Sequence, residues 1–147
     1  MCGARILHPI IGENQIEMSR LTAMLLTAAL AANVPARAQH MNEQDSPCAD
    51  VVVTAELSSC LAKARDLADA QMNAAYNQVR SKLDAAEGHQ LVATQRLWIQ
   101  YRDANCAAER ELYGGGTAAF PAYLACLEAM TRARRNELKV TYAVRLK

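Results

Sequence analysis

The chain has 147 residues, room for one domain, with 16 basic and 15 acidic side chains. With that balance, no global charge points to a nucleic-acid or membrane-surface partner. Alanine is abundant, while aromatic residues make up 5% of the chain and prolines number 4. This composition favours helices over sheet.

Met18-Ser19-Arg20 precedes an apolar run from Leu21 to Val34, and Ala36-Arg37-Ala38 follows. A basic start, a short apolar core and a small-x-small site form a cleavable secretory signal. The run is shorter than the roughly 20 residues a membrane helix needs. Glu13 and Glu17 do not suit a signal's first segment, so residues 1–17 are expected to be an upstream extension, with translation starting at Met18. Residues 1–38 are thus expected to leave a soluble periplasmic or secreted protein with no stable membrane anchor. Cys2 would be lost with them.

Four cysteines follow: Cys48, Cys60, Cys106 and Cys126. In a small exported domain they are expected to form disulfides. Cys48–Cys60 and Cys106–Cys126 are favoured because each closes a short loop; Cys60–Cys106 is the rival. No C-x-x-C occurs and His40 and His89 stand apart, so no metal site is expected.

Residues 39–54 are expected to be a linker. Thr54 is placed to cap a first helix over residues 55–86, with Glu56 in its first turn. Leu57, Cys60, Leu61, Ala64, Leu67, Ala68, Met72, Ala75, Tyr76, Val79 and Leu83 fall on it at three- and four-residue steps, as an apolar stripe requires. Gly88 marks the turn. A second helix over residues 89–112 returns antiparallel, carrying Leu91, Gln95, Trp98, Arg102 and Cys106 inward. The stretch Thr94–Cys106 reads as the central helix, with Trp98, Arg102 and Tyr76 as structural core. Arg102 on that face needs a buried partner, and Asp66 and Asp69 are the candidates. Tyr113-Gly114-Gly115-Gly116 then forms a turn, with a partner-contacting loop as the alternative reading. It lacks the Lys-Ser/Thr and the preceding strand of a phosphate-binding loop. A third helix begins between Thr117 and Pro121 and continues towards Arg145. The expected fold is all-α: a small antiparallel three-helix bundle with long helices, stapled by disulfides.

From Gln39 onward, 13 basic side chains meet 13 acidic ones, unevenly spread. Residues 39–90 hold 4 basic and 8 acidic groups, whereas residues 130–147 hold 6 and 1. Mutual neutralisation within the fold is the expected outcome.

Several motifs recur together: Met72-Asn73-x-x-Tyr76, Gln95-x-x-Trp98-Ile99-x-Tyr101-Arg102-Asp103-x-x-Cys106, Tyr113-x-Gly115-Gly116, Cys126-Leu127 and Thr131-x-x-Arg134. Over Cys48–Leu138 the chain resembles the LprI-type lysozyme-inhibitor domain family. The resemblance implies a small helical protein of the cell envelope that binds a lysozyme-type glycoside hydrolase and protects peptidoglycan. Some members of that family are lipid-anchored, but the leader here lacks a lipobox. The resemblance carries over no catalytic residue and no cofactor. Tyr113, Gly114, Gly115 and Gly116 are the candidate contact with such a partner. A second reading is a non-catalytic structural or adaptor protein of the envelope with a different protein partner. An enzyme is not expected: no Ser/His/Asp set and no placed carboxylate pair is evident.

Overall fold

The computed structural model describes residues 40–147. The expected signal segment, the start at Met18 and Cys2 lie outside the described residues. Three long helices account for most of the described residues: α1 (Thr54–Arg80), α2 (Ala85–Glu111) and α3 (Ala119–Thr141). Among the described residues a 3-10 turn at His40–Asn42 precedes them. No strand occurs among the described residues.

The first connection departs from expectation. α1 stops at Arg80, not at residue 86, and Ser81–Asp84 makes the turn. Asp84 caps α2: its carboxylate accepts the Glu87 N–H at 2.9 Å, and Glu87 Oε2 accepts the Asp84 N–H at 3.2 Å. This reciprocal box satisfies two backbone donors that a bare helix end leaves open. Gly88 therefore lies inside α2, where its permissive backbone is not used. At the other end of α1 the cap position falls on Val53, in extended backbone, with no side-chain hydrogen bond. Thr54 is already the first helical residue.

The order of packing also differs. α3, rather than the Thr94–Cys106 stretch, is central: it lies against both α1 and α2, which make little direct backbone contact. Its first half is buried nearly all round, from Ala119 to Ala129. Four alanines, Ala119, Ala122, Ala125 and Ala129, let neighbouring backbones approach on more than one side. Pro121 sits in the first turn of α3, where a missing N–H costs nothing.

Three buried clusters set the directions of the helices. Near the start of α3, Leu124 and Ala125 meet Leu61 and Cys48. Near its end, Leu138 meets Met72, Val79 and Leu91. Between α2 and α3, Cys106, Cys126 and Leu127 pack together. α1 and α3 thus run the same way, with α2 antiparallel to both. Trp98 and Tyr76 are partly buried against the Met72–Leu138 cluster. The fully buried large side chains are Leu61, Leu91, Leu138 and Val79.

The disulfides pair Cys48 with Cys60 and Cys106 with Cys126, at Cα separations of 6.1 and 5.5 Å. The Cys60–Cys106 rival is not formed. Closing loops of 12 and 20 residues restricts the unfolded chain by about 3 kcal/mol each in the loop-entropy model.

Candidate functional site

Two polar layers and one loop gather the chemistry-bearing side chains. The first layer crosses the middle of the bundle. Arg102 on α2 donates from Nη1 to Asp69 on α1 and to Thr131 on α3, both at 3.1 Å. Its Nε donates to Asp103 at 3.0 Å. Asp66, the other candidate partner, pairs instead with Arg65 at 2.8 Å. Arg134 on α3 donates to Gln95 at 3.1 Å, and Gln95 donates in turn to the Met72 sulfur at 3.1 Å. The Trp98 ring receives both guanidinium groups, at 5.2 Å from Arg102 and 5.7 Å from Arg134. A cation against an indole ring is attracted by the ring's quadrupole. Because both arginines already have acidic or amide partners, this layer fixes the register of three helices and is not an open anion site.

The second layer lies nearer the start of α3. Glu128 is buried and accepts from Arg132 Nε at 2.9 Å. Arg132 also reaches Asp45 at 2.6 Å and Glu43 at 3.3 Å on the segment before α1. Burial alone would lower the Arg132 pKa, but hydrogen bonds to Glu128 and Asp45 outweigh it and hold the guanidinium above its usual value. The same hydrogen bond, with the Arg132 charge, lowers the Asp45 carboxyl below 3.8. On the neighbouring edge, the His40 N–H donates to Glu109 Oε1 at 3.2 Å, and His40 Nδ1 lies 2.6 Å from Oε2. The segment before α1 is therefore strapped to α3 by the Arg132 ion pairs and to α2 by the His40–Glu109 hydrogen bonds. This carries out part of the expected neutralisation; Arg145 pairing with Glu87 adds to it.

His40, Glu109 and Cys126 bring three potential metal-ligand atoms within 4.8 Å of one another. The Cys126 sulfur is bonded to Cys106, so it is no thiolate and a poor ligand. The oxidised grouping does not fit a metal.

The loop joins α2 to α3 directly above the second disulfide. Gly114 and Gly115 adopt positive φ, 55° and 75°, which other residues rarely take. Gly116 differs: a Cβ there would sit 3.1 Å from the Tyr113 carbonyl oxygen, closer than ordinary van der Waals contact. That same oxygen accepts the Gly116 N–H at 2.9 Å, closing the turn. All three glycines are exposed. Tyr113 is half-buried, and its hydroxyl is sealed from solvent without a hydrogen-bond partner. Burial, with the nearby Glu109 charge, raises its pKa above 10.0. Leu112 and Phe120 flank the turn and are largely exposed. Inward hydrophobic periodicity could not single them out, because both lie off the buried stripes.

A shallow, open groove of about 490 Å³ runs along α1, lined by Glu56, Ser59, Cys60, Lys63, Ala64 and Leu67. Glu56 is its one carboxylate, whereas the usual glycoside hydrolysis needs two facing ones.

These features define a class: a small cross-linked helical scaffold with a structural polar interior and an exposed glycine turn. A family model described as "Lysozyme inhibitor LprI" matches residues 46–138, and the chain belongs to that family. It is also 31% identical over 133 residues to the "Uncharacterized protein R02472" of Rhizobium meliloti (strain 1021), a match covering 82% of this chain and 94% of that relative. No solved structure matches. No described helix is long and apolar enough to cross a membrane.

Proposed function

We propose that this protein is exported to the periplasm or cell exterior and inhibits a lysozyme-type glycoside hydrolase by contact, without turnover. The contact is made by the Tyr113–Gly116 turn, with Phe120 beside it. Membership of a family named for lysozyme inhibition supports the partner class. The signal-like leader and the two disulfides support the compartment.

One observation carries the choice of site. The exposed glycine turn is anchored at both ends by helices that the Cys106–Cys126 bond holds together. A loop fixed before binding loses little conformational entropy on binding. Bare glycine backbone can approach a narrow carbohydrate cleft more closely than any side-chain-bearing segment. Tyr113 acts as the turn's foot, packed inward, while Phe120 offers apolar contact at its rim. Asp50, Glu56 and Asp84 have no ion-pair partner among the described residues. Glu56 and Asp50 lie on the acidic segment of residues 39–90, whose 8 acidic and 4 basic groups would favour encounter with a basic enzyme.

The test titrates oxidised protein into a cell-wall lysis assay with several lysozymes. Dose-dependent protection is expected. Phe120→Glu, and replacement of the glycine turn by a longer Gly-Ser turn, should weaken it while helix content stays unchanged. Protection unaffected by both changes would remove the site. Absence of protection against every lysozyme tried, with another envelope protein captured, would support the adaptor reading.

A further inference from the structure

α2 has two apolar faces. One packs on α3; the other carries Ala93, Leu97, Tyr101, Ala104 and Ala108, continued by Leu112 at the helix's C-cap, all exposed. Leu97 is 66% exposed, Tyr101 60% and Leu112 76%. Their spacing of three and four residues aligns them as one stripe. At 1.5 Å per residue it runs for about 28 Å. No described element covers it. Lone surface leucines are ordinary, but a continuous stripe of this length marks an interaction surface.

We propose that this stripe binds a second copy of the same chain through a twofold axis, with the two α2 helices antiparallel. The order of residue sizes argues for a self-complementary pair. With the axis between Arg102 and Asp103, Ala93 faces the partner copy at Leu112, Leu97 faces Ala108, and Tyr101 faces Ala104. Every large side chain meets a small one, and each pairing occurs twice, as an isologous interface requires. Large-to-small alternation lets two helices approach to 8–10 Å and interlock.

Charge supports the same register. Arg96 and Glu111 border the stripe on one side. Arg96 makes no ion pair among the described residues, and Glu111 reaches only Arg110, at 3.9 Å. In the antiparallel arrangement Arg96 of each copy comes beside Glu111 of the other. From Gln39 onward the formal charges cancel, so net repulsion does not oppose association.

The test is sedimentation equilibrium of the full, oxidised protein from about 1 to 100 μM, the range in which a modest helix-pair interface shows itself. A reversible dimer is expected. Leu97→Glu should weaken it by at least about tenfold, since it places a charge against the partner's Ala108. Its monomer fold, read by helical circular dichroism and melting temperature, should not change, because Leu97 is exposed. Arg96→Glu should weaken the dimer a few-fold, and adding Glu111→Arg should restore it. A wild-type chain that stays monomeric at the top concentration overturns the proposal. So does a dimer indifferent to Leu97→Glu, or a charge swap with no recovery. A monomer whose binding to another protein is lost on Leu97→Glu would also overturn it, by giving the stripe to a different occupant.

Discussion

Replacing Arg132 by methionine tests the polar layer near the start of α3. Glu128 is 3% exposed, so removing its cation leaves a carboxylate that water cannot reach. Breaking a fully buried ion pair costs about 3–5 kcal/mol. Arg132 itself is 24% exposed on its side chain, and this partial access to solvent reduces the expected loss to about 2–3 kcal/mol. For a domain of this size that lowers the melting temperature by roughly 10 °C. The double variant Arg132→Met/Glu128→Gln separates two effects. It removes the stranded charge and should recover most of the global stability in urea unfolding. It does not restore the link from α3 to Glu43 and Asp45. Amide exchange at Ser46, whose N–H donates to the Glu43 carbonyl at 3.1 Å, should therefore stay fast in both variants. If Arg132→Met costs less than about 1 kcal/mol, or Glu128→Gln recovers nothing, the account of Glu128 as a buried charge held by Arg132 is wrong.

Tyr113→Phe removes a hydroxyl that is buried without a partner, so it should raise stability by about 1 kcal/mol in urea unfolding. In alkaline titration followed by ultraviolet absorbance, one of the five tyrosines should ionise above 10.0 and vanish in the same variant. Because the folded-state pKa is raised, the neutral phenol's contribution is complete below the unfolded value and fades as pH climbs through the folded one. Asp45 behaves oppositely. Its folded pKa lies below 3.8, so its contribution is present above that value and disappears as pH falls through the lower one; Asp45→Asn should abolish the acid-side change in exchange at residues 43–48. Leu138→Ala, in the cluster where all three helices meet, should destabilise by about 3 kcal/mol.

Much of the fold was legible because each signal was local. Helix content follows from composition and from stripes at three- and four-residue steps. The favoured cysteine pairs follow from short loops, and Arg102 demanded a partner that Asp69 supplies. The errors came from weighing one residue type too heavily. Gly88 looked like a break, yet Asp84-x-x-Glu87 carried the stronger start signal, and a capping box is readable without coordinates. The only tryptophan drew the centre to α2, whereas α3 earns that place through small alanines that admit close neighbours on several sides. Gln95 was readable as inward from its place on the apolar stripe, but buried Glu109, Glu128 and Thr131 were illegible for another reason: hydrophobic patterning assigns polar residues to solvent. The His40–Glu109 pair joins positions 69 apart, and no short-range rule reaches that far. Phe120 could not be picked out as a rim residue until the turn before it had a shape.

Both sulfur bonds fasten the same end of the molecule, where Cys48, Cys60, Cys106 and Cys126 surround the start of α3. The opposite end, from the Ser81–Asp84 turn to the last residues, has no covalent tie among the described residues and closes by packing around Leu138. The bundle is built like a clothes-peg, sprung at one tip and pinned at the other. Digestive enzymes or heat should pry the jaws apart near residues 81–84 first, while the tip bearing the glycine turn keeps its shape.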